Sequence, residues 1–239
     1  LVAALIATQA DLAGDTGVAA LIAPDAPGWP PFTLTSAFPR AGSLPLLPRP
    51  FLKAPITLKR GQRKLLKRLE FVSPVIFDRW IHGAPLEAYA ESQTGKGRFL
   101  QDGKVWIATA EGADLPDAWG AAVPKYASDR WKDWREWVAS EDDGAAWLRG
   151  QKVWQTQPVD RVTVDRITAA SAIYRIGRTV YAPGCGLWFA VRWPDGPDAT
   201  LRSGLETVLT HLADRGLGGE RSVGYGQFEW TPLDRELDL

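Results

Sequence analysis

Hydrophobic positions along the chain change period several times, and each change marks an element. Leu1–Ile6 and Val18–Ile22 are apolar helical pieces parted by Gly14-Asp15-Thr16-Gly17, and both are expected to be largely buried. From Pro24 to Pro55 there are nine prolines, which remove donors and hold φ, so a central strand or long helix is excluded. A short strand at Phe32–Ser36 is expected there. Phe38, Leu44, Leu46, Leu47, Phe51 and Leu52 argue for a packed, ordered loop over a linker. Lys59–Arg68 holds six basic residues in ten; as a helix it turns Leu65, Leu66 and Leu69 to a core and the cations away. A strand at Phe71–Val72 and a helix at Val75–His82 follow. Phe99–Lys104 then signals a hairpin with Val105–Thr109 as the returning strand. Residues 111–130 are polar and broken by proline and glycine, a candidate inter-domain stretch. Trp131, Trp134, Trp137, Trp147 and Trp154 come next; a stripe at helical spacing is either core or a partner-docking face. In the second half, Val159–Ile167 alternates as a strand pair or a bent strand, and Leu187–Trp193 is an aromatic, β-branched strand. Leu201, Leu205, Val208, Leu209 and Leu212 fall at i, i+4, i+7, i+8 and i+11, an amphipathic helix. A glycine loop and a strand at Gln227–Trp230 follow it. Strand, helix, glycine loop and strand form the back half of a ferredoxin-like βαββαβ unit.

Composition narrows the chemistry. The chain has 239 residues, with 28 basic against 28 acidic, so any basic footprint is local. One cysteine, Cys185, excludes an intrachain disulfide and any multi-thiolate site, and two histidines, His82 and His211, leave little for zinc. No cofactor and no metal are expected. No apolar run is long enough to span a membrane and no signal peptide opens the chain, so a cytoplasmic protein with no membrane partner is expected. The chain lacks methionine and begins inside a helix, so an element preceding Leu1 is expected to be missing.

The glycine loop carries the most specific signal. Gly216, Gly218, Gly219, Gly224 and Gly226 lie within eleven residues after a helix. Nucleotide-binding loops precede their helix, and neither GxxxxGK[ST] nor GxGxxG is matched, so a nucleoside triphosphate site is disfavoured. Glycines expose backbone and let successive N–H groups form an anion nest. Arg221 supplies a cation, Ser222 a hydroxyl and Tyr225 a ring, a set suited to phosphates and bases of a bent single strand. A helix cap with a hairpin needs one or two glycines, and five exceed that need.

Gly216-Leu217-Gly218-Gly219-Glu220-Arg221-Ser222-Val223-Gly224-Tyr225-Gly226-Gln227-Phe228 resembles the glycine-rich loop of the RAMP superfamily of CRISPR-associated RNA-binding proteins. The pattern is most similar to subunit four of the type III-A Csm effector complex. Leu34–Pro39 with Leu47-Pro48-Arg49-Pro50, Lys64–Val72, and Val162–Thr168 leading into Gly186–Phe189 agree with it. The resemblance spans roughly residues 30–80 and 158–230; Trp131–Trp154 has no counterpart. It implies an α+β chain of two ferredoxin-like (RRM-like) βαββαβ domains. Residues 1–125 would form the N-terminal domain without its first strand, 126–157 a Trp-rich connection, and 158–239 the C-terminal portion with the glycine-rich loop. It further implies a non-catalytic subunit that caps the CRISPR RNA (crRNA), binds its repeat-derived 5′ tag and serves antiviral defence. The implied partners are the large polymerase-like effector subunit and the adjacent backbone RAMP subunit.

The expected roles are backbone access from Gly216, Gly218, Gly219 and Gly224, phosphate binding by Arg221 and Ser222, and stacking by Tyr225. Arg166 and the basic segment with Arg63, Lys64 and Lys67 extend a phosphate track, and Arg49 lies in the matching proline-rich patch. A solvated helix face is the bland alternative for the basic run. Two other functions stay open: a RAMP endoribonuclease that processes precursor crRNA with His211 or His82, and a scaffold docked through its tryptophans. Glu141-Asp142-Asp143 is the one dense carboxylate run and reads as a solvated loop. Asp165 beside Arg166 reads either as an aiming ion pair or as one polar strand position.

Overall fold

The structure is a computed structural model that describes residues 1–22, 32–57, 63–90, 95–164, 171–193 and 199–233. In chain order its elements are α1 (Val2–Ile22), β1 (Thr33–Leu34), β2 (Phe38–Ala41), β3 (Leu44–Pro45), β4 (Leu47–Pro48), α2 (Arg63–Arg68), β5 (Phe71–Val72), α3 (Pro74–Ile81) and α4 (Glu87–Ala90). Then come β6 (Gly97–Leu100), β7 (Val105–Ala108), α5 (Lys125–Arg130), α6 (Trp134–Ser140), α7 (Asp142–Gly150), β8 (Trp154–Val164), β9 (Ser171–Tyr181), β10 (Cys185–Trp188), β11 (Val191–Arg192) and α8 (Ala199–Arg215). The contacts divide the chain into two compact units. Unit 1 is Leu1–Ala37 with Phe189–Leu239, and unit 2 is Phe38–Trp188.

In unit 1, α8 turns Leu205, Val208, Leu209 and Leu212 inward against Leu5 of α1, as the helical spacing predicts. Phe32, Leu34, Val191, Trp193, Phe228 and Trp230 pack on this cluster, and β1 pairs antiparallel with β11. The expected break falls at Gly14, whose non-helical backbone at φ 63° kinks α1 into two helical pieces. That helix buries Leu5 and Thr8 rather than most of its apolar residues, because α8 is its packing partner in the unit.

Unit 2 is built on the sheet β4-β5-β7-β6, in which β5 and β7 are parallel and the other pairs antiparallel. Central β7, Val105-Trp106-Ile107-Ala108, is buried at every position, the continuous apolar run of a strand covered on both faces. Beside it α3 begins at Ser73-Pro74, where proline is preorganised at the first turn, and buries Ile76 and Trp80. Glu111 accepts from the Val75 N–H at 3.0 Å, placing a carboxylate at the positive helix end. Arg98 of β6 is 4% exposed and donates to the carbonyls of Val138, Gly95, Gly97 and Ala139, which ties the end of α6 to the sheet.

The tryptophan stripe belongs to the core. Trp137 is buried, and Trp131, Trp134, Trp147 and Trp154 pack around it with Leu46, Leu100 and Leu148. Residues 111–130 likewise fold into unit 2 as two 3-10 turns and α5, burying Leu115, Trp119 and Ala127; they are not an inter-domain stretch. The apolar residues spaced between their glycines and prolines suit short turns whose side chains reach inward.

The described strands make four small sheets, of two, three, four and two strands, in an α+β architecture. A complete βαββαβ order is not seen among the described residues. Five strands have only two residues, several of them beside proline, which cannot donate to a ladder. The expected strand Leu187–Trp193 is split into β10, which pairs with β2, and β11. The described part of the expected Val159–Ile167 segment, residues 159–164, is part of one strand of a long antiparallel ribbon, β8–β9, in register from Trp154↔Tyr181 to Val164↔Ser171. Among the described residues no helix is long and apolar enough to cross a membrane.

Candidate nucleic-acid interface

The glycine loop has a closed neck and an open tip, both within unit 1. Three carbonyls at the end of α8 lack helical partners and are taken up by the chain that follows. The Leu212 carbonyl accepts from Gly216 N–H (2.8 Å), Ala213 from Phe228 N–H (3.3 Å), and Asp214 from the Gln227 amide (3.1 Å). Residues 227–230, expected as a strand, therefore run against α8, where Trp230 Nε1 also lies 3.4 Å from Thr210 Oγ1. The neck closes where Leu217 N–H donates to the Gly226 carbonyl at 2.8 Å. A Cβ on Gly216 would lie 2.8 Å from Gly226 C, and one on Gly226 only 2.0 Å from Leu217 O, so both positions need glycine.

At the tip, Cβ atoms on Gly218, Gly219 or Gly224 would meet nothing within 4 Å. Arg221, Ser222 and Val223 form one exposed 3-10 turn closed by left-handed Gly224 at φ 84°. The N–H groups of Val223 and Tyr225 bond the Glu220 carbonyl and that of Gly224 bonds Arg221. Those of Gly218, Gly219, Arg221 and Ser222 make no hydrogen bond among the described residues. Tyr225 is half-buried at the neck, and Arg221 and Ser222 project into solvent. Bare backbone, unspent N–H donors, a guanidinium and a hydroxyl share one exposed arch, which is an anion-binding arrangement.

The other expected residues lie in unit 2 or outside the described residues. Arg49 donates from Nη1 to the Leu66 carbonyl at 2.8 Å and from its backbone N–H to the Glu70 carbonyl at 2.9 Å, so it braces α2. Lys64 and Lys67 are exposed on α2; Arg63 belongs to the same helix, but its side chain lies outside the described residues. Arg166 and Asp165 lie outside them too.

Lys67 and Arg68 line an open cleft of about 410 Å³ together with Leu69, Glu70, Asp102 and Lys104. Lys104 Nζ pairs with Glu70 at 2.8 Å, and Lys152 with Asp102. The hydrogen bond from Lys152, aided by the charges of Lys152, Arg149 and Arg68, holds the Asp102 carboxyl below its usual range. Lys104, Arg149 and Lys152 carried no motif, because Lys104 stands far in sequence from the other two.

His82 belongs to unit 2 and His211 to unit 1. His82 ends α3 with Nδ1 2.9 Å from the Asp78 carbonyl and 3.1 Å from its carboxylate, a helix-end arrangement. His211 is exposed on α8. The carboxylate run is ordered rather than a solvated loop: Asp142 and Asp143 start α7, and Asp143 accepts from Trp137 Nε1 (3.1 Å) and Tyr126 OH (3.0 Å).

No family model matches the chain and no curated protein sequence matches it. Among solved structures, a chain of the Csm3-Csm4 subcomplex in the type III-A CRISPR-Cas interference complex matches 95% of this chain at TM-score 0.56 and 13% identity. Chains of the Csm1-Csm4 cassette with AMPPNP and with cA4 match 88% and 89%, at TM-scores 0.47 and 0.48 and identities of 13% and 14%. This chain spans 60%, 58% and 57% of their respective lengths. The fold of this chain is thus similar to that of a chain of the type III-A Csm3-Csm4 subcomplex.

Proposed function

We propose that the chain is a non-catalytic RNA-binding subunit of a type III CRISPR effector complex. It caps the crRNA by binding the repeat-derived 5′ tag and acts in cytoplasmic antiviral defence. In this reading the chain consists of two ferredoxin-like domains. Its partners in this reading are the large polymerase-like subunit and the adjacent backbone RAMP subunit. The structures whose fold it shares come from Csm3-Csm4 and Csm1-Csm4 assemblies, which supports that choice.

The observation that carries the reading is the division of labour in the glycine loop. Gly216 and Gly226 let two backbone segments touch at the neck, while Gly218, Gly219 and Gly224 face open space beside Arg221 and Ser222. A turn that only capped α8 would need the neck alone. Phosphates of a bent single strand match the N–H donors and guanidinium, and Tyr225 offers a ring at the edge.

The test mixes the chain with 5′-labelled CRISPR repeat RNA and with a scrambled RNA, each run on native and denaturing gels. A shifted, intact repeat band that outcompetes the scramble supports a tag-binding subunit. A shortened band moves the function to precursor processing and makes His211→Ala the next variant. No shift with either RNA, alone or with the partner subunits present, refutes the reading.

A further inference from the structure

Gln101-Asp102-Gly103, between β6 and β7, takes three consecutive left-handed conformations, at φ 54°, 55° and 89°. For glutamine and aspartate this costs about 1–2 kcal/mol each. The surroundings hold the turn in place. Gln101 is 7% exposed; its N–H donates to the Gln151 carbonyl (2.9 Å), Oε1 accepts from Val153 N–H (2.7 Å), and Nε2 donates to the Trp154 carbonyl (2.7 Å). A side chain thus does the work of a strand partner and zips residues 151–154 to the turn.

The outcome is a gathering of cations from three distant stretches. Lys152 is brought onto Asp102. Arg149 lies over Gly103, where a Cβ would sit 3.3 Å from its Nη2. Lys104 follows the turn, and Lys67 and Arg68 face it across the cleft. Exposed ion pairs contribute only about 0–1 kcal/mol, too little to account for two strained residues. The pairs also leave the cations unsaturated: an ammonium has three donors, and Lys104 and Lys152 are each described with one carboxylate. Glu70 and Asp102 orient the lysines without neutralising a set that also includes Lys67, Arg68 and Arg149. Among the described residues no aromatic side chain lines the cleft, so it offers charge without a stacking surface for bases.

We infer that this cleft is a second RNA site, which holds backbone phosphates of single-stranded RNA through Lys67, Arg68, Lys104, Arg149 and Lys152 without reading bases. The inference rests on the RNA-binding reading above and adds a site that the glycine loop does not include.

The test uses the full chain and a fluorescent oligouridylate, measured by anisotropy from 0.05 to 0.4 M salt. A Lys104→Gln/Arg149→Gln/Lys152→Gln variant removes three phosphate contacts, so the slope of log K against log salt should flatten by about 2, at ~0.7 per contact on a single strand. With the electrostatic part vanishing near 1 M salt, the same contacts amount to about a hundredfold in affinity at 0.1 M. Lys67→Gln/Arg68→Gln, which leaves the strained turn untouched, should flatten the slope by about 1.4 and covers the case in which the triple variant misfolds. Unmodified slope and affinity in both variants, with the parent chain still binding RNA, would overturn the cleft and leave the loop standing. A parent chain that binds no RNA would overturn both. Displacement of the RNA by a nucleoside triphosphate or by polyglutamate at matched charge would overturn it too, assigning the cleft to free nucleotides or to an acidic peptide.

Discussion

Replacing Gly226 by alanine separates the neck of the glycine loop from its tip. Gly226 sits at φ 84°, where an L residue costs about 1–2 kcal/mol. The new Cβ would stand 2.0 Å from Leu217 O and 2.9 Å from Leu217 N and C, all backbone atoms that cannot swing aside. Relief requires the neck to open, which breaks the 2.8 Å bond from Leu217 N–H to the Gly226 carbonyl, worth about 1 kcal/mol. The sum is about 2–3 kcal/mol, or roughly 4–12 °C in melting temperature for a chain of this size. Gly219→Ala is the matched control, because Gly219 has no positive φ and faces open space; its melt should fall within about 1 °C of the parent. Differential scanning calorimetry reads the stability, and anisotropy with repeat RNA should show Gly226→Ala at least tenfold weaker. If both variants melt together at the parent temperature, the described neck is wrong.

Arg221→Ala should weaken repeat-RNA binding and lower the salt slope by about 0.7 with an unchanged melt; unchanged affinity and slope would remove Arg221 from the site. Gly219→Val should bind worse still, since it fills the space in front of the open backbone, as the same titration would show. Arg98→Met strands the Val138 and Ala139 carbonyls that its guanidinium now satisfies, and urea unfolding should show a loss of about 2–4 kcal/mol. Burial pushes the Cys185 thiol up to about 11. At pH 8 about one molecule in a thousand then carries the thiolate, so iodoacetamide should label the native chain roughly a hundredfold more slowly than the unfolded one. The unfolded thiol releases its proton first, so this group makes stability fall as pH rises from about 9 toward 11, which urea melts across that range would reveal.

What could be read from the sequence was local. The spacing of Leu201, Leu205, Val208, Leu209 and Leu212 defined α8, and the helix expected at Val75–His82 is α3, because helix signals act within a few residues. The glycine loop was legible for the same reason: its neck and tip alternate within eleven residues. Pairings across long separations had no such signal. Thr33 meets Arg192, so unit 1 is assembled from distant stretches of the chain, and Phe38 meets Trp188, the two ends of unit 2. Gln227–Trp230 has the composition of a strand, yet its donors go to the end of α8. Asp102-Gly103-Lys104 resembles an ordinary hairpin turn; only the contacts of Gln101 with residues 151–154 bring Lys152 to Asp102. The tryptophan spacing allowed core or docking face, and the burial of Trp137 and the packing of its neighbours decided for core.

The central claim, that the open tip of the glycine loop holds the 5′ tag, is tested most directly by photocrosslinking. A photoreactive nucleotide would be placed in the tag of a repeat RNA bound to the chain, and the adducts mapped after tryptic digestion. The account predicts crosslinks on the peptides that begin at Gly216 and Ser222, reduced by Arg221→Ala. Bound RNA whose crosslinks all fall outside residues 216–226 would contradict it.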